Sequence, residues 1–260
     1  MFIPLYDSNN LKHIKLQWVT WSLIVINVLV WGVTGFAGDD SEFTNAAFLS
    51  LGYIPSVVND IADLPASLVL VPEDATYITY SFLHGNLLHL GSNMLFLWVF
   101  GDNVEDAMGH IKFLIFYLLC AAAGAYMHGL LLPDSDGPLI GASGAVAGVI
   151  AAYLMLHPRV RVWVLVLGRI PLPLPAYIPL LFWVGTQFVM VVTDFGGDVS
   201  WGAHIGGMIV GAVLVLVLRR SGVPLFDRTI ESPKAVIRKT TPPAQSAPAS
   251  SRAQTTKWGR

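Results

Sequence analysis

A serine set between small residues carries the first chemical signal in this chain. Ser143 lies in the segment 141–148 (GASGAVAG), which opens an apolar, uncharged run ending at Leu156. The start of a helix offers free backbone N–H groups and the positive end of the helix dipole. A nucleophile there has an anion-stabilising hole beside it. Small residues also let membrane helices pack closely, so packing is the alternative explanation of this segment.

A histidine that could act as the base lies about sixty residues further on. His204 falls inside the segment 201–207 (WGAHIGG), and the apolar runs around Ser143 and His204 contain no Asp or Glu. Asp198 is six residues before His204, about 9 Å along a helix, too far to orient its ring. A serine enzyme built on these residues is therefore a dyad, with Ser143 as nucleophile and His204 as general base.

Two further polar residues could hold the oxyanion. His89 and Asn93 are four residues apart and share one face of a helix. We predict an oxyanion hole made from the backbone N–H of Ser143 and the side chains of His89 and Asn93.

The composition identifies the class of protein that must position these residues. The chain has 260 residues, of which 54% are hydrophobic and 12% charged, and its mean hydropathy is +0.62. Soluble domains carry about 25% charged residues, so we predict a polytopic membrane protein. Cys120, the one cysteine, lies in an apolar run, which excludes a disulfide framework or a thiolate metal cluster. No soluble domain and no nucleic-acid-binding signature is evident.

We predict an all-α fold, a bundle of six transmembrane helices. Residues 1–17 form an N-terminal segment, residues 18–220 the membrane domain, and residues 221–260 a disordered tail rich in Pro, Ser, Ala and Thr. The connection 38–76 is acidic and is expected to lie partly in the membrane interface. The predicted spans are residues 18–37, 77–100, 111–132, 141–156, 176–192 and 201–218.

Charge orients the bundle. With six spans, all 15 Lys and Arg fall on one side of the membrane, and the loops on the other side collect Asp and Glu. The positive-inside rule then predicts that both termini are cytoplasmic. A bacterial or archaeal plasma membrane is the expected location.

The fourth span is so short that we expect Ser143, near its start, to lie below the outer surface of the membrane. Its 16 residues reach about 24 Å as a helix, against a hydrocarbon core of about 30 Å. Irregular backbone at that depth must face protein or a water-filled cavity, and a hydrolase needs such water. Gly141, Gly144 and Gly148 on this span, with Gly207 and Gly211 on the sixth, predict a close helix contact that brings Ser143 near His204.

Other polar residues receive less demanding roles. His84 lies five residues before His89, about 140° round the same predicted helix, so we assign it to the outer wall of the site. The remaining assignments are structural roles for His128, Gln187 and Glu105, and no role for His110 and His157.

Taken together, these motifs resemble those of the rhomboid intramembrane serine proteases. The match consists of 141–144 (GASG), 203–207 (AHIGG) and the series His84, His89, Asn93 with the 101–109 pattern GxxxExxxG. It covers about residues 10–220. The resemblance implies a Ser143–His204 dyad, oxyanion roles for His89 and Asn93, and a long membrane-embedded first loop. Supporting positions are His84, Gly141, Ala142, Gly144 and Gly207.

The resemblance also implies the substrates and partners. A serine endopeptidase of this kind acts within the lipid bilayer on single-pass membrane proteins, which it cuts near the outer face, often after a small residue. It uses no cofactor or metal and binds no nucleic acid.

Two positions depart from the family pattern. Many members carry an aromatic residue four positions after the serine, where it packs on the catalytic histidine, and this chain has Ala147. The first loop also lacks the Trp-Arg pair of many relatives. Neither change removes a reacting group, but His204 must be held differently.

Two alternatives remain open at this point. One is an inactive relative that binds membrane clients. The other is a transporter or metal-handling protein that uses His84, His89 and His204, although it lacks the carboxylates, cysteines and broken repeats typical of that class.

Overall fold

The structure is a computed structural model that describes residues 2–35, 41–193 and 199–227. The predicted disordered tail lies outside the described residues from position 228 onward. So do Asp39, Asp40, Asp194 and Asp198, which the predictions place on the acidic side.

Long helices dominate the described part of the chain, as the all-α prediction requires. Three of them are long and apolar enough to cross a membrane (18–35, 110–131 and 201–218), and 143–156 and 177–193 are shorter apolar helices. Single 3₁₀ turns cover residues 66–68, 73–75 and 80–82. The α-helices are α1 (Trp18–Gly35), α2 (Glu42–Leu51), α3 (Pro55–Val58), α4 (Thr76–Thr79), α5 (Leu87–Met108), α6 (His110–Leu131), α7 (Ser143–Leu156), α8 (Tyr177–Thr193) and α9 (Trp201–Leu218).

Helices α6, α7, α8 and α9 begin and end within two residues of the predicted spans, and α1 begins where predicted. The prediction for the second span was wrong at both ends. Helix α5 begins ten residues later than predicted because Asn86 is its N-cap, with extended backbone and a side-chain oxygen that accepts from the His89 N–H at 2.8 Å. It also continues past residue 100, the predicted end of the span, to Met108, and its C-cap is Gly109, whose φ is +87°.

A small antiparallel sheet was not predicted. Strand β2 (Arg161–Val166) pairs with β1 (Phe2–Asp7) on one side and with β3 (Ile170–Pro175) on the other. The three residues 167–169 join β2 to β3, and two of them, Leu167 and Gly168, have positive φ, as a tight hairpin requires. The segment 157–175, which links the fourth and fifth predicted spans, therefore contains a hairpin that pairs with the N-terminal segment.

Helix α7 lies at the centre and packs against α5, α6 and α9. Small residues permit this packing. A Cβ atom added to Gly144 would lie 3.3 Å from the Ala203 carbonyl oxygen of α9 and 3.5 Å from Cα of Gly124 in α6. A Cβ on Gly211 would lie 2.5 Å from the Gly148 carbonyl oxygen. The predicted contact between the glycine faces of the fourth and sixth spans is confirmed.

Two carboxylates at the end of α5 fasten the N-terminal part of the chain. Glu105 is fully buried and accepts from the Val19 N–H (3.0 Å), the Thr20 N–H (2.8 Å) and the Thr20 hydroxyl (2.7 Å). Asp106 accepts from the backbone N–H groups of residues 12–14 at 2.6–3.0 Å. The Glu105 bonds satisfy N–H groups at the start of α1, which would otherwise lack partners, and the Asp106 bonds hold the segment just before this helix. The predicted structural role of Glu105 is confirmed.

A second carboxylate site joins the N-terminal strand to the bundle. Asp7 accepts from the Tyr153 hydroxyl (2.5 Å) and from the Asn103 amide (3.0 Å), and Asn103 also donates to Asp102 (2.9 Å). Burial, and then the nearby charge of Asp102, raise the pKa of the Asp7 carboxyl from 3.8 to about 7.

Candidate active site

Ser143 is the first residue of α7, at the end of a loop that neighbouring segments hold in place. Gly141 donates its N–H to the Tyr80 carbonyl at 3.0 Å, and Leu139 exchanges two backbone hydrogen bonds with Tyr53 (2.8 and 3.1 Å). Because α7 begins at Ser143, the first backbone N–H groups of the helix have no acceptor within it. They lie free beside the serine hydroxyl and could bind a negatively charged oxygen.

The loop before Ser143 passes directly beneath the ring of His89. A Cβ added to Gly141 would lie 2.6 Å from Cε1 and Nε2 of His89 and 3.9 Å from the amide nitrogen of Asn93. Gly141 also has a φ of +119°, so this position strongly favours glycine on two grounds. The structure thus brings His89 and Asn93 next to the serine loop. Asn93 is buried and donates to the His89 carbonyl at 3.1 Å.

His204 lies in the first turn of α9, which Ser200 caps by accepting from the Ala203 N–H at 3.2 Å. Its ring is 8% exposed and lies between two tryptophans, with centroids 5.9 Å from Trp183 and 5.8 Å from Trp201.

The first turns of α7 and α9 touch next to the two predicted dyad residues. A Cβ on Gly144, which follows Ser143, would lie 3.3 Å from the oxygen of Ala203, which precedes His204. Gly207 approaches the same turn, since its added Cβ would lie 2.7 Å from the Gly144 carbonyl carbon. In the described structure Ser143 and His204 are not hydrogen-bonded to each other. The structure therefore brings the first turns of the two helices into contact.

The predicted position of His84 was wrong, because it lies before α5 and not on it. His84 is in the non-helical link between Phe82 and the Asn86 cap. Its ring meets that of His89 edge-on, with centroids 5.1 Å apart, and is 1% exposed. His84 therefore contacts His89 directly instead of facing away round the helix.

Gln187 on α8 is a contact of His204 that the sequence analysis missed, since it gave Gln187 only a structural role. The Gln187 side-chain oxygen lies 2.7 Å from Nδ1 of His204. A polar residue inside an apolar span was the available signal, because such residues are expensive in membranes and usually functional. Nothing in the sequence indicated which helix it faces.

Trp183 accounts for the absence of an aromatic residue at position 147. Ala147 and Ala151 of α7 form a buried cluster with Met208, and Trp183 packs against that cluster. The same indole lies beside the His204 ring at an interplanar angle of 31°. An aromatic ring from α8 therefore lies beside the histidine, whereas the resemblance led us to expect one from the serine helix.

His128 keeps the structural role predicted for it. Its Nδ1 atom lies 2.7 Å from the Ser200 hydroxyl, so His128 joins α6 to the cap of α9.

The described helices make this chain a helical integral membrane protein whose serine-bearing helix lies at the centre of its bundle. The profile of the Rhomboid family, described as a Rhomboid domain, matches residues 73–221, more than half of the chain. The chain therefore belongs to the Rhomboid family.

Several curated proteins are similar to it. RHOMBOID-like protein 12, mitochondrial, of Arabidopsis thaliana is 30% identical over 161 residues, which are 56% of this chain and 46% of that protein. Rhomboid protein 1, mitochondrial, of Saccharomyces cerevisiae is 30% identical over 148 residues, 55% of this chain and 41% of that protein. The rhomboid protease GlpG of Salmonella choleraesuis is 26% identical over 203 residues, covering 76% and 62% respectively. This chain thus spans about half the length of the first two relatives.

Proposed function

We propose that this protein is an intramembrane serine endopeptidase with a Ser143–His204 dyad. The observation that carries the proposal is the contact of α7 with α9 at Gly144 and Ala203, the chain neighbours of the two residues. This contact supports a site in which the serine hydroxyl, the imidazole and the N–H groups of a helix start lie close together. Family membership and the similarity to a named rhomboid protease support the same activity.

In the proposed reaction, Nε2 of His204 removes the proton of the Ser143 hydroxyl as Oγ attacks the substrate carbonyl carbon. The carbonyl oxygen becomes negatively charged as the tetrahedral intermediate forms. His204 then gives the proton to the leaving amine, and a water molecule hydrolyses the acyl-enzyme by the same steps in reverse order.

The oxyanion binds in the space between the start of α7 and the side chains above it. The Ser143 N–H belongs to the start of α7, and His89 and Asn93 lie close to Gly141, two residues before the serine. Donors aimed at the developing charge commonly contribute about 10²–10³ in rate each.

The substrates proposed are the transmembrane segments of other membrane proteins, cut near the extracytoplasmic face. Helix α7 has 14 residues, or about 21 Å, so its first residue lies inside a hydrocarbon core of about 30 Å when its other end is at the interface. At that depth Ser143 can reach a peptide bond of a transmembrane segment. The substrate helix must unwind locally to expose that bond.

We also propose domain boundaries and a cellular location for this protein. We assign residues 18–220 to the catalytic membrane domain, residues 1–17 and 221–260 to flanking cytoplasmic segments, and the protein to a bacterial or archaeal plasma membrane. The names of two relatives place them in mitochondria, so fractionation of the native membranes is the test of location.

Cleavage of a transmembrane reporter tests the activity. Purified protein in detergent should cut the reporter, and Ser143→Ala should abolish cutting while leaving the unfolding temperature unchanged. Cleavage that survives Ser143→Ala would end the serine mechanism.

A fluorophosphonate probe tests the role of each residue separately. It should label Ser143, and His204→Ala should suppress labelling because the hydroxyl then has no base. Equal labelling without His204 would rule out its role as base. A folded protein that neither cuts nor becomes labelled would instead support the client-binding alternative.

A further inference from the structure

The side chain of Gln187 is buried in the bundle and faces His204. It is 2% exposed, and its Oε1 atom lies 2.7 Å from Nδ1 of the imidazole. The two residues belong to different helices, α8 and α9. The bond is therefore a tertiary contact that needs both helices in place.

The other end of the amide fixes which of its atoms faces the imidazole. The Gln187 Nε2 atom donates to the Trp183 carbonyl at 2.9 Å and to the Thr186 hydroxyl at 3.1 Å. Both amide hydrogens then have acceptors, and the hydroxyl of Thr186 sends its own hydrogen to the same Trp183 carbonyl at 2.6 Å. Because the nitrogen is held there, the atom that remains for His204 is the oxygen, which can only accept.

An acceptor opposite Nδ1 determines the tautomer of His204. The hydrogen bond forms only if Nδ1 carries the proton, and in the neutral ring Nε2 then has the free lone pair. A general base needs that lone pair on the nitrogen nearer the nucleophile. Trp183 adds a second restraint, since its ring lies beside the imidazole and its carbonyl anchors the amide.

We propose that Gln187 is a positioning residue that holds His204 in the Nδ1–H tautomer with Nε2 free for Ser143. The inference rests on the proposed function. It assigns to a neutral amide the orienting part that a carboxylate plays in other serine hydrolases. An amide orients the ring without placing a second charge in the bundle, where an ionised group is costly.

Gln187→Met tests the proposal, because methionine has nearly the same size and shape but no hydrogen-bond acceptor of comparable strength. We expect kcat for the transmembrane reporter to fall about 10- to 100-fold, with KM changed less than about twofold, since the lost interaction acts on the base and not on substrate binding. Fluorophosphonate labelling of Ser143 should slow by a similar factor.

Two further variants separate positioning from packing. Gln187→Glu keeps an acceptor facing Nδ1 and should retain clearly more activity than Gln187→Met. Val184→Ala is the matched control: it lies on the same helix and packs against the Ala147 cluster, but its side chain makes no hydrogen bond. It should lower the unfolding temperature while leaving kcat of the folded protein within about twofold.

The ¹⁵N signals of the His204 ring test the tautomer without any substitution. The unaltered protein should show neutral His204 protonated on Nδ1, and Gln187→Met should shift the population toward the Nε2–H form. A proton on Nε2 in the unaltered protein would overturn the inference. So would an unchanged kcat in folded Gln187→Met alongside normal wild-type cleavage. Absence of cleavage and labelling in the unaltered protein would overturn the proposed function and this inference together.

Discussion

Gly207→Ala is the substitution that most directly tests how α7 and α9 form the site. Its added methyl would lie 2.7 Å from the carbonyl carbon of Gly144 and closer still to the carbonyl oxygen. Both are backbone atoms in the middle of a helix turn, so neither can rotate away as a side-chain end could. The helices themselves must separate.

The required displacement follows from ordinary contact distances. Non-bonded carbon atoms are most stable about 3.5–4.0 Å apart, so the two backbones must move apart by at least about 1 Å. Ser143 and His204 each lie within one turn of this contact and move with it. A misplacement of about 1 Å can lower a rate about 10²-fold, and overpacking of this kind costs about 1–3 kcal/mol of stability.

The assay is reporter cleavage by the folded fraction of Gly207→Ala, with thermal unfolding measured on the same sample in detergent. We expect kcat to fall about 100-fold and fluorophosphonate labelling of Ser143 to fall with it. Gly32→Ala is the matched control, because a methyl there meets no atom within 4 Å. It should keep wild-type activity and stability, since alanine favours a helix slightly over glycine.

One result would refute the reasoning. If folded Gly207→Ala cuts the reporter within about threefold of the wild-type rate, a 1 Å separation of the helices does not disturb the reacting groups. The close contact of α7 with α9 would then not be what assembles the dyad.

Three further predictions concern the carboxylates and the chemistry. Glu105→Gln should lower the free energy of unfolding by about 3 kcal/mol, because one buried oxygen becomes a donor that faces the N–H of either Val19 or Thr20; a loss under about 1 kcal/mol in detergent unfolding would contradict this. The raised pKa of Asp7, about 7, means that the folded protein keeps a proton which the unfolded chain loses above about pH 4. Stability should therefore fall by up to about 4 kcal/mol between pH 4 and 7 and level off above, and Asp7→Asn should remove that part of the slope; an identical slope in both proteins would refute the assignment. Chelators should leave cleavage unchanged, whereas a loss that zinc restores would favour the metal-handling alternative.

The sequence alone predicted the helices whose limits are set locally. Helices α6, α7 and α9 follow uninterrupted apolar runs, and each begins or ends beside glycine, proline or charged residues. The glycine faces of α7 and α9 were also readable, because their spacing places them on one side of each helix. The start of α5 was predicted wrongly for a local reason. The Asn86 N-cap follows a largely apolar segment that we had assigned to the same helix.

Pairings across the chain were decided only in three dimensions. Strand β1 pairs with β2 across more than 150 residues of sequence. The hydrophobic pattern of neither strand predicts this pairing.

The same limit applies to the site. The sequence by itself placed a serine at a helix start, a histidine in the first turn of another helix, and the small residues that let those helices touch. Only the tertiary structure decided that Gln187 and Trp183 of α8 face His204. It also decided that His84, in the link before α5, contacts the ring of His89. The physical reason is that residue type and spacing determine the face a residue occupies on its own helix. The rotation and position of the neighbouring helix determine what that face meets.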